Sequence, residues 1–167
     1  ADLARQVFGD AVTPRINPER SWYQVYLSPT QHLTHGVRNP VGVWLEKHGL
    51  WGKRSHEKFI PQEVFDQPEE AIRVFLRHLW ATDGCIKVSE RAHPAVYYAT
   101  SSRELATGIQ SLLLRLEINA RIKRVAQAGK GRDQYHVVVT GHADLSHFVE
   151  IGAVGAYKSK SVEEIAG

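Results

Sequence analysis

The sequence contains a single cysteine, Cys85, and no apolar run long enough to cross a membrane. One cysteine cannot form a disulfide within the chain, so nothing in the sequence requires an oxidising compartment. The N-terminus also lacks the charged-then-apolar stretch that is typical of a secretion signal. These absences predict a cytoplasmic protein with no membrane partner.

The spacing typical of zinc ligands is absent as well. The chain has nine histidines, but no histidine pair stands at ligand spacing together with a cysteine. We therefore predict no zinc site. We expect Cys85 to be a small, half-buried strand residue rather than a nucleophile.

Size and composition leave several classes of protein open. The 167 residues could form one sizeable domain or two small ones. A hydrophobic content of 43% with 23% charged residues is ordinary for a soluble globular protein. The net charge of +3 and the pI near 9.1 make the chain basic. Such a charge serves solubility and also favours polyanionic partners, and composition alone does not choose between them.

The segment FLRHLWATDG, residues 75–84, is the most informative stretch. Its pattern predicts a long helix over residues 68–82 that ends on Asp83 and Gly84. We expect Gly84 to take the left-handed conformation that closes many helices. A carboxylate at the negative end of a helix is unfavourable, and a bound cation would relieve that cost. The apolar stripe of this helix comprises Ile72, Phe75, Leu76, Leu79 and Trp80.

Helical and alternating patterns place further elements on either side of this helix. After it we predict a hairpin, a helix capped by Ser101 or Ser102, a second hairpin and two more helices. Their ranges are 84–89 with 95–100 (joined around 91–94), 102–116, 119–125 with 134–140, 143–150 and 158–165. Before it we predict a helix end at 1–7, strands at 11–16 and 22–28, a helical turn at 30–36, a helix at 38–49 and a basic connection at 50–61.

An internal repeat emerges when these elements are compared. Residues 15–16 match 121–122, residues 23–27 resemble 135–139, and residues 49–52 resemble 152–155. Identity is low, so chance similarity is the alternative interpretation. As a real repeat, the pattern predicts two copies of one αββαββα unit, over residues 1–61 and 62–167. The first copy would lack its leading helix and first hairpin.

Residues 76–84 (LRHLWATDG) resemble the LAGLIDADG motif of homing endonucleases. The tetrapeptide KFIP at 58–61, the run SSRELATGIQSLLLRLEINARIKRV at 101–125 and the glycine–lysine pattern at 154–160 are also similar to LAGLIDADG endonucleases carried by inteins. The segments GVRNPVGVWLEKHGLWG and FLRHLWATDGCI resemble inteins inserted in replicative DNA helicases of actinobacteria.

This resemblance implies an α/β (α+β) fold with saddle-shaped antiparallel sheets that straddle double-stranded DNA, the first unit being incomplete. It also implies cleavage of both DNA strands at a long target site with Mg²⁺ or Mn²⁺. Asp83 and Gly84 would stand at the metal, and a lysine would help polarise the attacking water. We predict Lys158 for that role, with Lys160 as the open alternative. The implied partners are the splicing domain of the parent intein and a second motif helix.

Strand alternation predicts which side chains would face the DNA. The residues expected to face inward are Ile86, Val88, Ile118, Ala120, Ile122, Tyr135, Val137 and Val139, with Tyr23, Val25 and Leu27 in the first copy. The outward side chains are rich in groups that bind base edges and phosphates, although a solvated sheet face is the alternative. The predicted DNA-contacting residues are Arg15, Gln24, Tyr26, Lys87, Ser89, Arg121, Lys123, Lys130, Arg132, Gln134 and His136.

The sequence departs from the family pattern in several places. His78 stands where a small residue normally lets two motif helices approach closely, and Thr82 replaces a small residue beside the carboxylate. No first motif helix precedes residue 61, and the terminal residues needed for splicing are absent, so we expect that this chain does not splice as it stands. Three functions therefore compete: a metal-dependent endonuclease region, a DNA-binding module without cleavage, and an inert remnant.

Overall fold

The computed structural model describes residues 2–89, 92–129 and 131–166, and the chain divides into two compact units. The units comprise Ala1–Gly52 and Lys53–Gly167. The predicted repeats meet instead between residues 61 and 62. The segment between the two boundaries belongs to the second unit, because Ile60 is buried in the core of that unit. The proposed repeat therefore does not coincide with the compact units at this point.

The first unit is built around a two-stranded antiparallel ribbon. Helix α1 (Asp2–Phe8) and a short 3-10 turn lead into β1 (Val12–Pro18), which pairs with β2 (Tyr23–Pro29). The helix end and both strands were predicted from the sequence. The expected inward face is wrong, because the side chains of Tyr23 and Val25 are 72% and 53% exposed. A two-stranded ribbon cannot bury a face unless another layer covers it.

Helix α2 (Pro40–Lys47) completes the first unit. It begins where the sequence predicts, because the side chain of Asn39 accepts a hydrogen bond from the backbone N–H of Val41 at 2.9 Å. The side-chain nitrogen Nδ2 of Asn39 also donates a hydrogen bond to the carbonyl oxygen of Leu27 at 3.0 Å, which links the start of the helix to β2. The helical turn predicted at 30–36 is wrong, since that segment contains only a bend and a turn.

The second unit contains a four-stranded antiparallel sheet of order β3-β4-β6-β5. Its elements are α3 (Gln62–Phe65), α4 (Glu69–Asp83), β3 (Gly84–Ser89), β4 (Ala92–Thr100), α5 (Arg103–Arg115), β5 (Ala120–Val125), β6 (Gln134–Val139), α6 (His142–Ile151) and α7 (Ala156–Ala166). From α4 to α6 the order is helix, two strands, helix, two strands, helix. This confirms the predicted α/β fold with antiparallel sheets. The tip of the β3–β4 hairpin, at residues 90–91, lies outside the described residues.

One face of this sheet and the surrounding helices enclose the core. Trp80 of α4 is wholly buried, and its ring centroid lies 5.5 Å from that of Tyr98 and 5.1 Å from that of Phe148. Leu76 and Ile72, on the same stripe of α4, are also fully buried. Each such side chain contributes roughly 1.5–3 kcal/mol by burial. The predicted stripe of α4 therefore packs within its own unit.

The other face of the sheet is open to solvent, as alternation predicts. Ile122 and Val137 pair on the inner face, whereas the neighbouring Arg121 and Lys123 are exposed. Lys87 is exposed on β3, where Ile86 is buried. Every helix within the described ranges is too short or too polar to cross a lipid bilayer.

Candidate acidic site and nucleic-acid interface

Asp83 lies at the last position of α4, and its side chain is exposed to solvent. It lines a cavity of about 200 Å³ at the end of the sheet where β4 finishes and β6 begins. Lys58, Tyr98 and Gln134 line the same cavity. The structure therefore places the predicted carboxylate at a concave, polar site rather than inside the core.

Gly84 follows Asp83 in an extended conformation, with φ −81° and ψ 140°. The left-handed conformation predicted for Gly84 is therefore wrong. Glycine is required here for a different reason, because a Cβ at this position would lie 2.5 Å from Cγ of Trp80 and 2.6 Å from its carbonyl oxygen. This close approach lets the chain pass directly from helix to strand, so Asp83 is held at the junction.

Lys158 of α7 lies at the same end of α4. Its ammonium group donates hydrogen bonds to the carbonyl oxygens of Trp80 at 2.6 Å and Ala81 at 3.3 Å. The last carbonyls of a helix lack partners within the helix, and a cation there is favoured by the helix dipole. Lys158 thus offsets the unfavourable electrostatics at the helix end where Asp83 lies. Its predicted role in polarising water stays a prediction.

Lys58 is a site residue that sequence reasoning missed. It lines the cavity with Asp83, and its backbone carbonyl accepts a hydrogen bond of 2.6 Å from the hydroxyl of Ser102. Ser102 is also the N-cap of α5, since its hydroxyl accepts from the backbone N–H of Leu105 at 3.1 Å. The signal was present in the KFIP segment at 58–61, but only the structure shows that Lys58 lines the cavity with Asp83.

Tyr98 lines the cavity with Asp83 and interacts with the side chain of Thr82. Burial raises the pKa of Tyr98, the Asp83 carboxylate raises it further, and a hydrogen bond with the Thr82 side chain acts in the opposite direction. The hydroxyl of Thr82 donates to the carbonyl oxygen of Leu79 at 2.6 Å. Hydrogen bonds thus hold the side chain of Thr82 at the end of α4.

Aromatic residues line the middle of the outer sheet face. The rings of Tyr97 and His136 stack at 4.9 Å with an angle of 6° between their planes. A hydrogen bond with the Cys85 side chain raises the pKa of Tyr97. Burial lowers the pKa of His136, and the positive charge of Lys123 lowers it further. Cys85 is half-buried, as predicted.

The predicted DNA-contacting residues of the second unit lie largely on this same face. Lys123 is opposite His136 in the strand register, Arg121 is opposite Val138, and the Gln134 side chain is 3.3 Å from the ring of His136. Arg132 is exposed in the loop that precedes β6. The side chain of Ser89 and the whole of Lys130 lie outside the described part of the structure.

The three predicted DNA-contacting residues of the first unit also share one face of their ribbon. Arg15 pairs with Tyr26 in the register, and its guanidinium carbon lies 5.8 Å from the centroid of that ring. The same guanidinium donates to the hydroxyl of Ser28 at 3.4 Å. Gln24 follows on the same face, two positions from Tyr26. The structure brings these residues together, and their role in DNA binding stays a prediction.

The side chains around Asp83 supply only some of the ligands that a metal ion needs. No cluster of three or more His, Cys, Asp or Glu side chains occurs within the described residues, and Asp83 is the sole carboxylate among those that line its cavity. Mg²⁺ commonly keeps several waters and binds one or two protein carboxylates together with substrate phosphate. One exposed carboxylate in a polar cavity is compatible with that mode of binding.

Residues 70–151 match the family described as "LAGLIDADG-like domain". The matched region runs from the first turn of α4 to the end of α6, so it includes Asp83 and all four strands of the second unit. The part of the second unit that includes Asp83 is therefore similar to a LAGLIDADG-like domain, and it has the mixed α/β architecture and antiparallel sheet described above.

Curated relatives include replicative DNA helicases. The chain is 60% identical over 166 residues to the replicative DNA helicase DnaB of Nostoc sp., an alignment that covers 98% of this chain and 19% of the relative. It is 56% identical to the DnaB proteins of Synechocystis sp. and Rhodothermus marinus, over 98% and 99% of this chain and 19% and 18% of those relatives. The chain thus spans about a fifth of their length. None of the three is actinobacterial, so they do not support the expected actinobacterial origin.

Proposed function

We propose that this chain is the endonuclease region of an intein carried by a replicative DNA helicase. Its activity would be metal-dependent cleavage of double-stranded DNA at a long target site. The observation that carries the proposal is the cavity shared by Asp83 and Lys58, which lies at one end of a sheet whose outer face exposes Lys87, Arg121 and Lys123. A carboxylate, a lysine in the same cavity lining and a basic sheet face suit binding and hydrolysis of a phosphodiester.

The intein context is supported by the pattern of similarity. Nearly the whole chain aligns with each helicase, yet it covers only about a fifth of the helicase length. An element carried inside a longer host protein gives this pattern. The splicing domain of such an intein would be the partner of this chain in the full protein.

Each residue of the site has a distinct proposed task. Asp83 would hold Mg²⁺ or Mn²⁺, which when bound supplies an activated water and stabilises the leaving oxygen. Lys58 would place its positive charge beside the phosphate that enters the cavity. Lys158 would act as a positioning residue, because its hydrogen bonds hold the end of α4. Gly84 would contribute by allowing the tight helix-to-strand passage and not as a ligand side chain.

A second motif helix would complete the site. The face of α4 that is not buried in its own unit carries Val74, which is 48% exposed, and the exposed side chain of His78. A motif helix from a segment outside this chain, or from a second copy, would pack there and bring a second carboxylate towards Asp83. The first unit, residues 1–61 in the repeat, would then be an incomplete copy. Its exposed ribbon face is consistent with missing strands.

A DNA-binding or inert remnant is the second candidate function. The observation in its favour is that, among the residues the structure describes, Asp83 is the sole carboxylate lining the cavity. Such a remnant would keep the basic sheet face without supporting hydrolysis.

A duplex library separates these candidates. The protein would be incubated with the library in the presence of Mg²⁺ or of a chelator, and both bound and newly cut molecules would be sequenced. New DNA ends that recur at one site with Mg²⁺, and that are absent with the chelator, support the endonuclease. Binding to a recurrent site without new DNA ends in either condition supports the DNA-binding remnant. Absence of duplex binding at low salt supports the inert remnant.

A further inference from the structure

A second cavity adjoins the one at Asp83. It has a volume of about 450 Å³ and lies between the segment that precedes α3 and the loop that joins β5 to β6. Ser55, Ser101 and Gln134 line both cavities. Because three residues are shared, the two cavities lie side by side, and we call them together the basic cleft.

The charges along the basic cleft change from one end to the other. Asp83 and Lys58 lie at the inner end, whereas Arg54, His56 and Arg132 line the outer end. The described residues that line the outer cavity include no carboxylate. Among the ion pairs within the described ranges, none involves either of these two arginines. Their positive charge is therefore available to an anion that enters the cleft.

One wall of the cleft is held in place by backbone hydrogen bonds. The carboxylate of Glu57 accepts from the backbone N–H of Arg54 at 2.9 Å, and the backbone N–H of Glu57 donates to the carbonyl oxygen of Arg54 at 2.9 Å. The bond from Ser102 to the carbonyl of Lys58 fastens the end of the segment to α5. The backbone of residues 54–58 is thus held in a turn, so binding through Arg54 and His56 needs little ordering of the backbone.

The opposite wall is held by Asp133. Its carboxylate accepts hydrogen bonds from Nε of Arg124 at 2.7 Å and from the backbone N–H of Gln127 at 3.3 Å, and both bonds lower the pKa of Asp133. The carboxylate of Asp133 therefore stabilises the base of the β5–β6 hairpin. Arg132, the preceding residue, lines the cleft.

We propose that the basic cleft binds the phosphodiester backbone of one DNA strand as that strand leaves the cavity at Asp83. Arg54 and Arg132 would contact phosphates from opposite walls, and the hydroxyls and amides between them would donate to phosphate and sugar oxygens. Residues 54–58 thereby become a DNA-contacting element, in addition to the outer sheet face. This inference rests on the proposed function, because it takes double-stranded DNA as the partner.

Duplex binding at several salt concentrations tests the cleft. The parent protein and the variants Arg54→Ala and Arg132→Ala would be titrated against fluorescent duplex that carries the site recovered from the library. Each variant should weaken binding roughly tenfold at low salt. Each should also reduce the slope of log K against log salt by about 0.9, the loss of one phosphate contact. Arg54→Lys should recover most of the slope.

A matched control removes the same charge elsewhere. Lys160→Ala alters an exposed lysine on α7 that pairs with Glu164 and does not line the cleft. It should keep the parental slope. Parental slopes in both arginine variants, or an equal loss in Lys160→Ala, would overturn the cleft while leaving DNA binding intact. A parent protein that binds no duplex at low salt would overturn the proposed function and the cleft together.

Discussion

The ammonium group of Lys158 lies 2.6 Å from the carbonyl oxygen of Trp80, three positions before Asp83. Lys158 of α7 therefore caps the C-terminal end of α4, the helix that carries Asp83. Trp80 in turn packs against Gly84, Tyr98 and Phe148, so the end of α4 is fixed from several directions. The position of Asp83 follows from the packing of the whole unit and not from the motif alone.

Replacing Lys158 tests its structural task. Lys158→Met should lower the free energy of unfolding by about 1–3 kcal/mol, because two carbonyl groups at the end of α4 lose a charged donor. Urea denaturation measures the change. Lys160→Met, on the exposed side of the same helix, should stay within about 0.5 kcal/mol of the parent. Equal stability of Lys158→Met and Lys160→Met would show that the hydrogen bonds to α4 contribute nothing.

Substitution of Gly84 distinguishes close packing from backbone conformation. Gly84→Ala should destabilise the protein by about 1–3 kcal/mol, because its Cβ would overlap Trp80. Gly84→Asn should be at least as harmful, although asparagine tolerates the left-handed conformation. Thermal denaturation compares the two. Tolerance of asparagine but not of alanine would indicate a left-handed conformation at residue 84 and would contradict the extended one.

Ser102 connects the cap of α5 to the segment that carries Lys58. Ser102→Ala should cost about 1–2 kcal/mol of stability, since the helix loses its N-cap and the carbonyl of Lys58 loses a donor. Ser101→Ala is the matched control and should change stability by less than about 0.5 kcal/mol. Denaturant midpoints that fall equally for both serines would contradict the assignment of the cap.

The titration of His136 reports the environment of the outer sheet face. Its pKa lies below 6.5 because burial disfavours the charged ring and Lys123 repels it. As the pH falls through 6.5, His136 therefore binds a proton in the unfolded chain before it does so in the folded protein. Its titration lowers the free energy of unfolding in acid and leaves it unchanged well above pH 6.5. An NMR titration should show a larger upward pKa shift in Tyr97→Ala, which uncovers the ring, than in Lys123→Gln. The opposite order would show that charge dominates over burial.

Much of the second unit could be predicted because its signals are local. Helical spacing gave α4 and α5, and alternation placed Ile122 and Val137 inside and Lys123 outside. The same rule failed for Tyr23 and Val25, because alternation indicates which side chains share a face but not whether a second layer covers that face. The first unit provides no such layer over them.

The acidic site could be predicted only in part. The Asp-Gly ending located Asp83 correctly, since a helix end is encoded in the sequence around it. The neighbourhood of Asp83 depends on contacts between residues far apart in the chain. Ser102 holds the backbone of Lys58 beside the cavity, and Lys158 donates to a carbonyl oxygen of α4. Neither contact has a signature in the spacing of residues.

The central claim is that Asp83 is the carboxylate at which the metal-dependent cleavage takes place. It is tested most directly by comparing Asp83→Asn with Asp66→Asn, an exposed aspartate that does not line the cavity, on the duplex recovered from the library. We predict that Asp83→Asn abolishes Mg²⁺-dependent cleavage while its duplex affinity stays within about threefold of the parent, and that Asp66→Asn cleaves at the parental rate. Cleavage by Asp83→Asn at the parental rate would contradict the account.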